Sequence, residues 1–599
     1  MKSTMEILAR IRQNSLEHPD EVFTRLYRYL LRDDIYFVAY KHLYSNNGAA
    51  TKGIDNDTAD GFSESYIAKI IEKLKNGTYV PSPVRRVYIP KANGKTRPLG
   101  IPTFTDKLVQ EVLRMILEAV YEPIFSDSSH GFRPNRGCHT ALDTIKREWN
   151  GTTWFIEGDI KGCFDHINHQ RLIEIIGEKI RDARFIQLIY KFLKAGYLED
   201  WDYHKTYSGT PQGGIVSPIL ANIYLDKLDK FVEKLKADFD APPERKFTPD
   251  YKRVKQQVER LSRKIRESPE EMRPALLTEW KAKRAEMQKI PAKSQTDKKL
   301  KYVRYADDFL ISVNGSREDC ERLKAELKDF INDNLKMELS EEKTLTTHSS
   351  TAARFLGYDI RVRRNSEPRK GKRGTVRFHS YRVELLIPLK DKIEKFLFSH
   401  NVVCEKNGRW FPAKRDVLVN QTDLEILAAY NSEMRGICNY YSLAANYGRL
   451  NYFSYLMEYS CLMTLAAKHR TTISKVRSKN VDSDGLWYIP YETKNGNKRM
   501  YFARSHKCKK PRQIQDKISA APLAYLHSRN SFENRLKAKT CELCGASDCK
   551  VEIHHINKVR NLNGKALWEK IMIAKNRKTI VVCEKCHYQI HNRTMNNAG

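Results

Sequence analysis

No stretch of this chain approaches the ~20 consecutive apolar residues that a membrane-crossing helix needs, and no lipidation motif is found, so no membrane partner is expected. The opening Met1-Lys2-Ser3-Thr4-Met5 runs into mixed charged sequence rather than the apolar core of a secretory signal, which leaves a cytoplasmic protein as the expectation. Cysteine is scarce, 12 in 599 residues, and only four fall in Cys-x-x-Cys pairs, which argues for metal rather than a disulfide framework. Acidic residues are also in deficit. Asp and Glu number 73 against 106 Lys and Arg, a formal net charge of +33. Such a surface attracts polyanions, and because each phosphate contact releases condensed counterions, nucleic-acid binding should be tight and steeply salt-dependent. There is no internal repeat and no long low-complexity tract. At this length several domains are expected, since single cores stop growing near ~250–300 residues.

What the chain does have is a conspicuous pair of carboxylates. Tyr305-Ala306-Asp307-Asp308 lies between the apolar runs Tyr302-Val303 and Phe309-Leu310-Ile311, which predicts two short strands presenting adjacent aspartates at a tight turn. Asp159 ends a third apolar run, Trp154-Phe155-Ile156-Glu157-Gly158. Phosphoryl transfer to a 3′ hydroxyl needs two divalent cations ~3.5–4 Å apart, and hard cations such as Mg2+ take oxygen ligands, which three aspartates on neighbouring strands can supply. An Asp-Asp pair at a strand end is equally ordinary turn chemistry, and the pair alone does not separate the two.

The surroundings divide the chain. Residues 20–80 carry helical spacing, as in Val22–Tyr27 and Ile67–Leu74. Val87-Tyr88-Ile89-Pro90 enters a basic turn, Lys91 to Arg97, whose Asn93-Gly94 step marks a hairpin. A helix is predicted over Leu108 to Tyr121, then a turn-rich loop, Ser129 to Pro134. Between about 233 and 300 a charged insertion contains an amphipathic helix through Val254, Val258, Leu261 and Ile265. Helical spacing is expected again from 379 to about 470, followed by a hairpin joining Trp487–Pro490 to Met500–Phe502 and a basic stretch, Arg504 to Arg512, suited to DNA phosphate or to a solvated face.

The order of Lys91, Lys95 and Arg97, then Asp159, then Thr210-Pro211-Gln212-Gly213-Gly214, then Asp307-Asp308 resembles the reverse transcriptase family. The resemblance implies that the hairpin is the fingers, with Lys91 and Arg97 meeting the incoming triphosphate and Gln212 near the nascent base pair. It assigns Asp159, Asp307 and Asp308 to the palm as catalytic ligands of two Mg2+. Phe164 matches the aromatic that a 2′ hydroxyl would strike, which implies deoxynucleoside triphosphates. Leu339–Thr344 and Phe355-Leu356-Gly357-Tyr358 match the segments closing the palm and placing the primer end.

Near the C-terminus, Cys541-x-x-Cys544 and Cys583-x-x-Cys586 offer the four soft ligands of a closed structural Zn2+ site, with Cys549 spare. Inside that frame lie His554-His555 and Asn576, and directly after it His587 and His591 at i, i+4. These resemble an HNH nuclease. The resemblance implies His555 as general base on water, with His554, His587 and His591 holding one Mg2+ or Mn2+. The alternative is a purely structural zinc ribbon whose histidines contact phosphate.

Palm, helical segment, basic region and HNH cassette in this order, with Arg435-Gly436-Ile437-Cys438-Asn439-Tyr440-Tyr441 in the helical part, resemble mobile group II intron-encoded proteins of the lactococcal type. The implied architecture is multidomain α+β. It has an N-terminal helical extension (1–80), right-hand polymerase fingers and palm (81–375), a helical thumb and maturase domain (376–480), a basic DNA-binding segment (481–540) and a zinc-stabilised HNH domain of ββα-metal type (541–599). The implied partners are the intron RNA, as unspliced precursor and as excised lariat, and target double-stranded DNA, with the protein in a bacterial cytoplasm and nucleoid-associated when acting on DNA. A monomer and a homodimer both stay open. The implied activity is splicing assistance, followed by HNH nicking of one DNA strand and copying of the intron RNA from the new 3′ end.

Overall fold

A computed structural model describes residues 3–592, apart from 45–46, 91–93, 95, 200–201, 205, 207, 210–212, 242–246, 291, 293–297, 366–368, 372–373, 377–379, 494–495 and 509–531. Lys91, Lys95, Thr210, Pro211 and Gln212 therefore lie outside the described residues, as do residues 509–512 of the basic stretch.

Helices Thr4–Glu17, Asp34–Tyr44 and Glu64–Lys75 open the chain. The first starts at a reciprocal cap in which Ser3 Oγ takes the Glu6 amide and the Glu6 side chain takes the Ser3 amide. Strands Val84–Pro90 and Thr96–Ile101 pair antiparallel with Pro90 opposite Thr96, the hairpin predicted from Asn93-Gly94. Helix Phe104–Tyr121 then runs through the middle of the main core. It is buried on nearly every side, polar positions included, and these are satisfied: Asp106 accepts from Tyr79 Oη at 2.6 Å and from the Ser82 amide at 3.0 Å.

The aspartate-bearing strands belong to one four-stranded antiparallel sheet, ordered Lys299–Tyr305, Asp308–Asn314, Trp154–Asp159, Leu345–His348. Both faces are covered. Ile156 and Ile311 enter the core shared with the N-terminal helices, while Phe155 and Leu310 enter a second core with the later helices. That double burial is why these strands read as continuous apolar runs instead of alternating ones.

The expectation of helix throughout 379–470 needs correction. Ser380–Leu386 is a strand paired with Tyr358–Asn365, and Val403–Lys406 forms a hairpin with Arg409–Pro412. Val383 and Leu385 stand opposite Val362 and Ile360, so partnering across the sheet overrides local spacing. Helices Asp423–Tyr440 and Leu450–Lys468 follow. The insertion forms two packed helices, Pro249–Glu267 and Arg273–Lys289, in which Val254, Val258 and Leu261 are buried.

The C-terminal cassette is a two-stranded sheet, Val551–His555 with Thr579–Cys583, plus helices Leu567–Ala574 and Glu584–His591. Too short to bury a core alone, it divides its sheet between two. Ile580 and Val582 face a small core with Cys541, Met572 and Cys586, while Ile553 and Val581 join the large N-terminal core. Among the described residues no helix is long and apolar enough to cross a membrane.

Candidate functional site

Register places the three aspartates. Trp154 stands opposite Val313 and the ladder ends with Asp159 directly opposite Asp308, so two strands 149 positions apart in sequence bring their carboxylates side by side. Side chains of directly opposed residues lie ~4.5–5.5 Å apart at Cβ, within range of shared cations. Asp307 is one step away on the connecting turn. Burial, the charge of Asp307 and a hydrogen bond to Asp159 together push Asp308 up to about 7. Burial also raises Asp307, opposed by the charges of Arg97 and Lys343. Lys343 Nζ lies 2.7 Å from Asp159 Oδ2, an ammonium beside a carboxylate that can take a metal ion. Three carboxylates crowded at one sheet end repel one another until a cation arrives.

A buried scaffold holds the turn. Ala306 has φ +56°, an uncommon conformation for a residue with a side chain. Beneath it Arg304, fully buried, donates to the Ala306 carbonyl at 2.8 Å, to Ser129 Oγ at 2.9 Å and to both oxygens of fully buried Asp229 at 2.7 and 2.5 Å. Tyr302 Oη adds a bond to Asp229 at 2.8 Å. The loop predicted over Ser129–Pro134 closes the same space. A Cβ on Gly131 would come within 2.4 Å of the Ala306 amide nitrogen, so only glycine fits. From sequence that loop reads only as turn chemistry, Lys343 is legible only as part of the Leu339–Thr344 segment, and Arg304 and Asp229 are missed, the local hint being an arginine inside an apolar strand.

The other expected residues fall around this centre. Phe164, half-buried, packs edge-on against Phe132, which in turn meets Tyr305. Arg97 is exposed on its hairpin strand. Gly213, at φ +109°, would drive a Cβ to within 2.6 Å of the Gly100 carbonyl, so the glycine turn closes against that hairpin. Ser340 donates to the Asp159 carbonyl at 2.9 Å, which sets the Leu339–Thr344 segment beside the carboxylates. Tyr440 Oη donates to the Leu356 carbonyl at 2.7 Å, so the Phe355–Tyr358 turn and the Arg435–Tyr441 motif are in direct contact. Of the basic stretch, Arg504 is already engaged by Glu458 at 2.6 Å.

In the cassette, ligand atoms of Cys541, Cys544, Cys583 and Cys586 all lie within 4.8 Å of one another, and the Cys544 and Cys583 sulfurs are 4.0 Å apart. A tetrahedral site with ~2.3 Å Zn–S bonds has sulfur–sulfur edges of about 3.8 Å, so this donor set fits zinc. Burial would raise the Cys541 thiol, but backbone amides donating to its sulfur outweigh it and bring it down to about 7.

A second group within the same span unites His554, His587 and His591 with an unexpected member, Asp60. His587 Nδ1 is 2.7 Å from Glu552 and its Nε2 3.2 Å from Asp60 Oδ1. Burial alone would lower His587, yet these carboxylates push it up to about 9. His555 points elsewhere, because neighbours on a strand face opposite sides. Its Nε2 lies 3.3 Å from the Tyr44 carbonyl, which can only accept, so Nε2 carries the proton and Nδ1 keeps its lone pair. Burial lowers its pKa, leaving the ring neutral at pH 7. Asn576 sits at φ +47° just beyond helix Leu567–Ala574, its amide bonded to the Ile573 carbonyl.

Comparison with known proteins gives one consistent result. Residues 89–240 and 282–360 match the reverse transcriptase (RNA-dependent DNA polymerase) family, 380–509 the type II intron maturase family, and 541–587 the AI2M/AI1M-like HNH endonuclease family. Group II intron-encoded protein LtrA of Lactococcus lactis subsp. cremoris is 60% identical over 594 residues, 98% of this chain and 99% of that protein. A 91 kDa protein in the cob intron of Schizosaccharomyces pombe is 37% identical over 98% of this chain and 72% of that one. A putative COX1/OXI3 intron 1 protein of Saccharomyces cerevisiae is 35% identical over 94% of this chain and 69% of that one. The chain therefore belongs to the group II intron-encoded proteins and carries a reverse transcriptase, an intron maturase and an HNH endonuclease domain on one polypeptide.

Proposed function

We propose that this protein binds its own intron RNA, assists its splicing, and then, with the excised lariat, nicks one strand of a DNA target and copies the intron from the exposed 3′ end. The observation that carries this reading is the meeting of Asp159 and Asp308 across one ladder, with Asp307 adjacent, on a chain that also holds a histidine cluster beside a four-cysteine cluster. In this reading residues 81–375 are fingers and palm, 376–480 thumb and maturase domain, 481–540 a DNA-binding segment and 541–599 the nuclease.

In the palm, Asp159, Asp307 and Asp308 hold two Mg2+. When bound there, such cations would supply positive charge to the attacking 3′ oxygen and the departing pyrophosphate. Asp308, raised to about 7, would have to release its proton to serve as a ligand below that pH. Arg97 opposes the triphosphate charge; the family resemblance gives the same role to Lys91 and sets Gln212 near the nascent base pair, both outside the described residues. Phe164 fills the volume a 2′ hydroxyl would need. In the nuclease, the four cysteines would hold Zn2+ as a fold support, and His554, His587 and His591 would hold one Mg2+ or Mn2+ that offsets charge at the scissile phosphate; neutral His555, on the other face of the same strand, would take the proton of the attacking water at Nδ1 from that side. A cleft between helix Asp423–Tyr440 and hairpin Tyr488–Tyr501, lined by Arg435, Arg499, Lys507 and Tyr491 with Asp482 and Asp484 at the same wall, offers an excess of cations beside an aromatic face for single-stranded RNA.

A paired experiment tests the reading. Asp307→Ala should abolish DNA synthesis on an RNA template while protein-dependent splicing and target nicking persist, and His555→Ala should stop nicking of the second strand while splicing and synthesis persist. Loss of splicing in both variants, or nicking at full rate in the second, would refute the division of roles.

A further inference from the structure

The cassette's histidine cluster contains a carboxylate from the far end of the chain. Asp60 precedes helix Glu64–Lys75, and its Oδ1 is 3.2 Å from His554 Nδ1 and 3.2 Å from His587 Nε2, while its Oδ2 is 2.7 Å from His591 Nε2. Oδ1 also accepts the His555 amide at 2.7 Å. The segment is fastened like an added strand: Gly61 donates to the Ile553 carbonyl at 2.9 Å and Ile553 donates to the Phe62 carbonyl at 3.0 Å. Phe62 is 1% exposed, stacked on Tyr40 with centroids 4.0 Å apart, and Phe532 packs against the same ring. This joint is anchored by core residues.

One member of the cluster has ligand capacity that the protein leaves unused. His554 is 5% exposed; among the described residues its Nε2 makes no hydrogen bond, and its Nδ1 has only the Asp60 carboxylate, 3.2 Å away. A buried imidazole with one nitrogen orphaned and the other held only by a carboxylate costs free energy that a bound ion would recover. The separations also fit an ion. Adjacent ligands of an octahedral cation with ~2.1 Å bonds stand about 3.0 Å apart. The distances from Asp60 to the three histidines, 2.7 to 3.2 Å, and the 3.2 Å between His587 Nε2 and His591 Nε2, bracket that value. Three imidazoles alone form a site without oxygen, whereas Mg2+ and Mn2+ favour carboxylate oxygen.

We propose that the nuclease cation site is assembled across the chain, with Asp60 as its fourth protein ligand beside His554, His587 and His591, so that the docked N-terminal segment is part of the nuclease. This rests on the reading of those three histidines as cation ligands. The competing role for Asp60 is a plug that mimics phosphate and must leave before DNA enters. A plug needs a weak attachment. The backbone pairing and the burial of Phe62 give a firm one, as a permanent ligand requires.

The test is Mn2+ binding to the full chain carrying Asp307→Asn and Asp308→Asn, which silences the polymerase carboxylates, read by electron paramagnetic resonance with nitrogen couplings reporting imidazole on the ion. In that background Asp60→Asn should weaken the nitrogen-coupled Mn2+ at least tenfold, and His587→Ala should weaken it comparably. The amide of Asp60→Asn still accepts the His555 N–H, so an unchanged melting temperature there separates ligand loss from unfolding, which Asp60→Ala alone would not. If His587→Ala removes the bound Mn2+ and Asp60→Asn does not, Asp60 is no ligand and this inference fails while the histidine reading stands. If Asp60→Asn tightens Mn2+ or speeds nicking, the carboxylate is a plug and the inference fails. If neither variant changes binding, the histidine reading fails and the inference with it.

Discussion

Replacing Arg304 by methionine tests the claim that a buried ion pair shapes the polymerase site. The guanidinium and Asp229 are both fully buried, and the one arginine donates to Ser129, Asn222, the Ala306 carbonyl and, beside the Tyr302 hydroxyl, Asp229. Arg304→Met leaves the Asp229 charge buried beside only a tyrosine hydroxyl, a loss of about 3–5 kcal/mol. For a cooperative unit of this size that corresponds to a fall of roughly 6–20 °C in melting temperature. A second loss is independent of stability. Ala306 holds its left-handed backbone conformation against the Arg304 donor, and once released the Asp307 carboxylate shifts; a displacement near 1 Å is worth about 100-fold in rate. The triple variant Arg304→Met, Asp229→Leu, Tyr302→Phe separates the two effects. With no orphaned charge it should regain most of the melting temperature, because an apolar substitute for a buried pair is often neutral. Primer extension on an RNA template should remain about 100-fold down, since the Ala306 carbonyl still lacks its anchor. Recovery of full extension along with stability would refute the positioning role, and a single variant melting within a degree or two of the parent would refute the buried pair itself.

With Asp308 at about 7, Mg2+ must displace a proton below that pH and finds the carboxylate free above it, so apparent Mg2+ affinity should climb between pH 6 and 8, with proton uptake by the buffer visible calorimetrically; a flat profile would contradict it. Cys583→Ser should empty the four-cysteine site, taking bound zinc from one per chain toward none and exposing the cassette to protease while primer extension continues. Retention of equimolar zinc would mean that the cluster is not the site. Phe164→Val should raise ribonucleotide use relative to deoxynucleotide at least tenfold in kcat/KM, the ~1.4 kcal/mol of one relieved steric contact, and an unchanged ratio would return Phe164 to ordinary packing.

Much of this protein is written locally. The hairpin carrying Asp307 and Asp308, the Asn93-Gly94 turn, the helix ending at Tyr121, the paired cysteines and the i, i+4 histidines all follow from spacing within a few residues, where backbone periodicity and ligand geometry act directly. Where local spacing misled, at 380–386, a neighbouring strand contributed the decisive contacts and turned an apparent helix into sheet. Tertiary structure alone decided three things. It put Asp159 opposite Asp308, sank the Arg304 charge onto Asp229 beneath the Ala306 turn, and carried Asp60 to His554, His587 and His591, 494 to 531 positions away. Before folding, Asp60 reads as one more acid in Asp55-Asn56-Asp57-Thr58-Ala59-Asp60. A residue's ordinary solubility leaves no pattern in sequence, and its chemistry appears only when packing removes water from around it and chooses its neighbours.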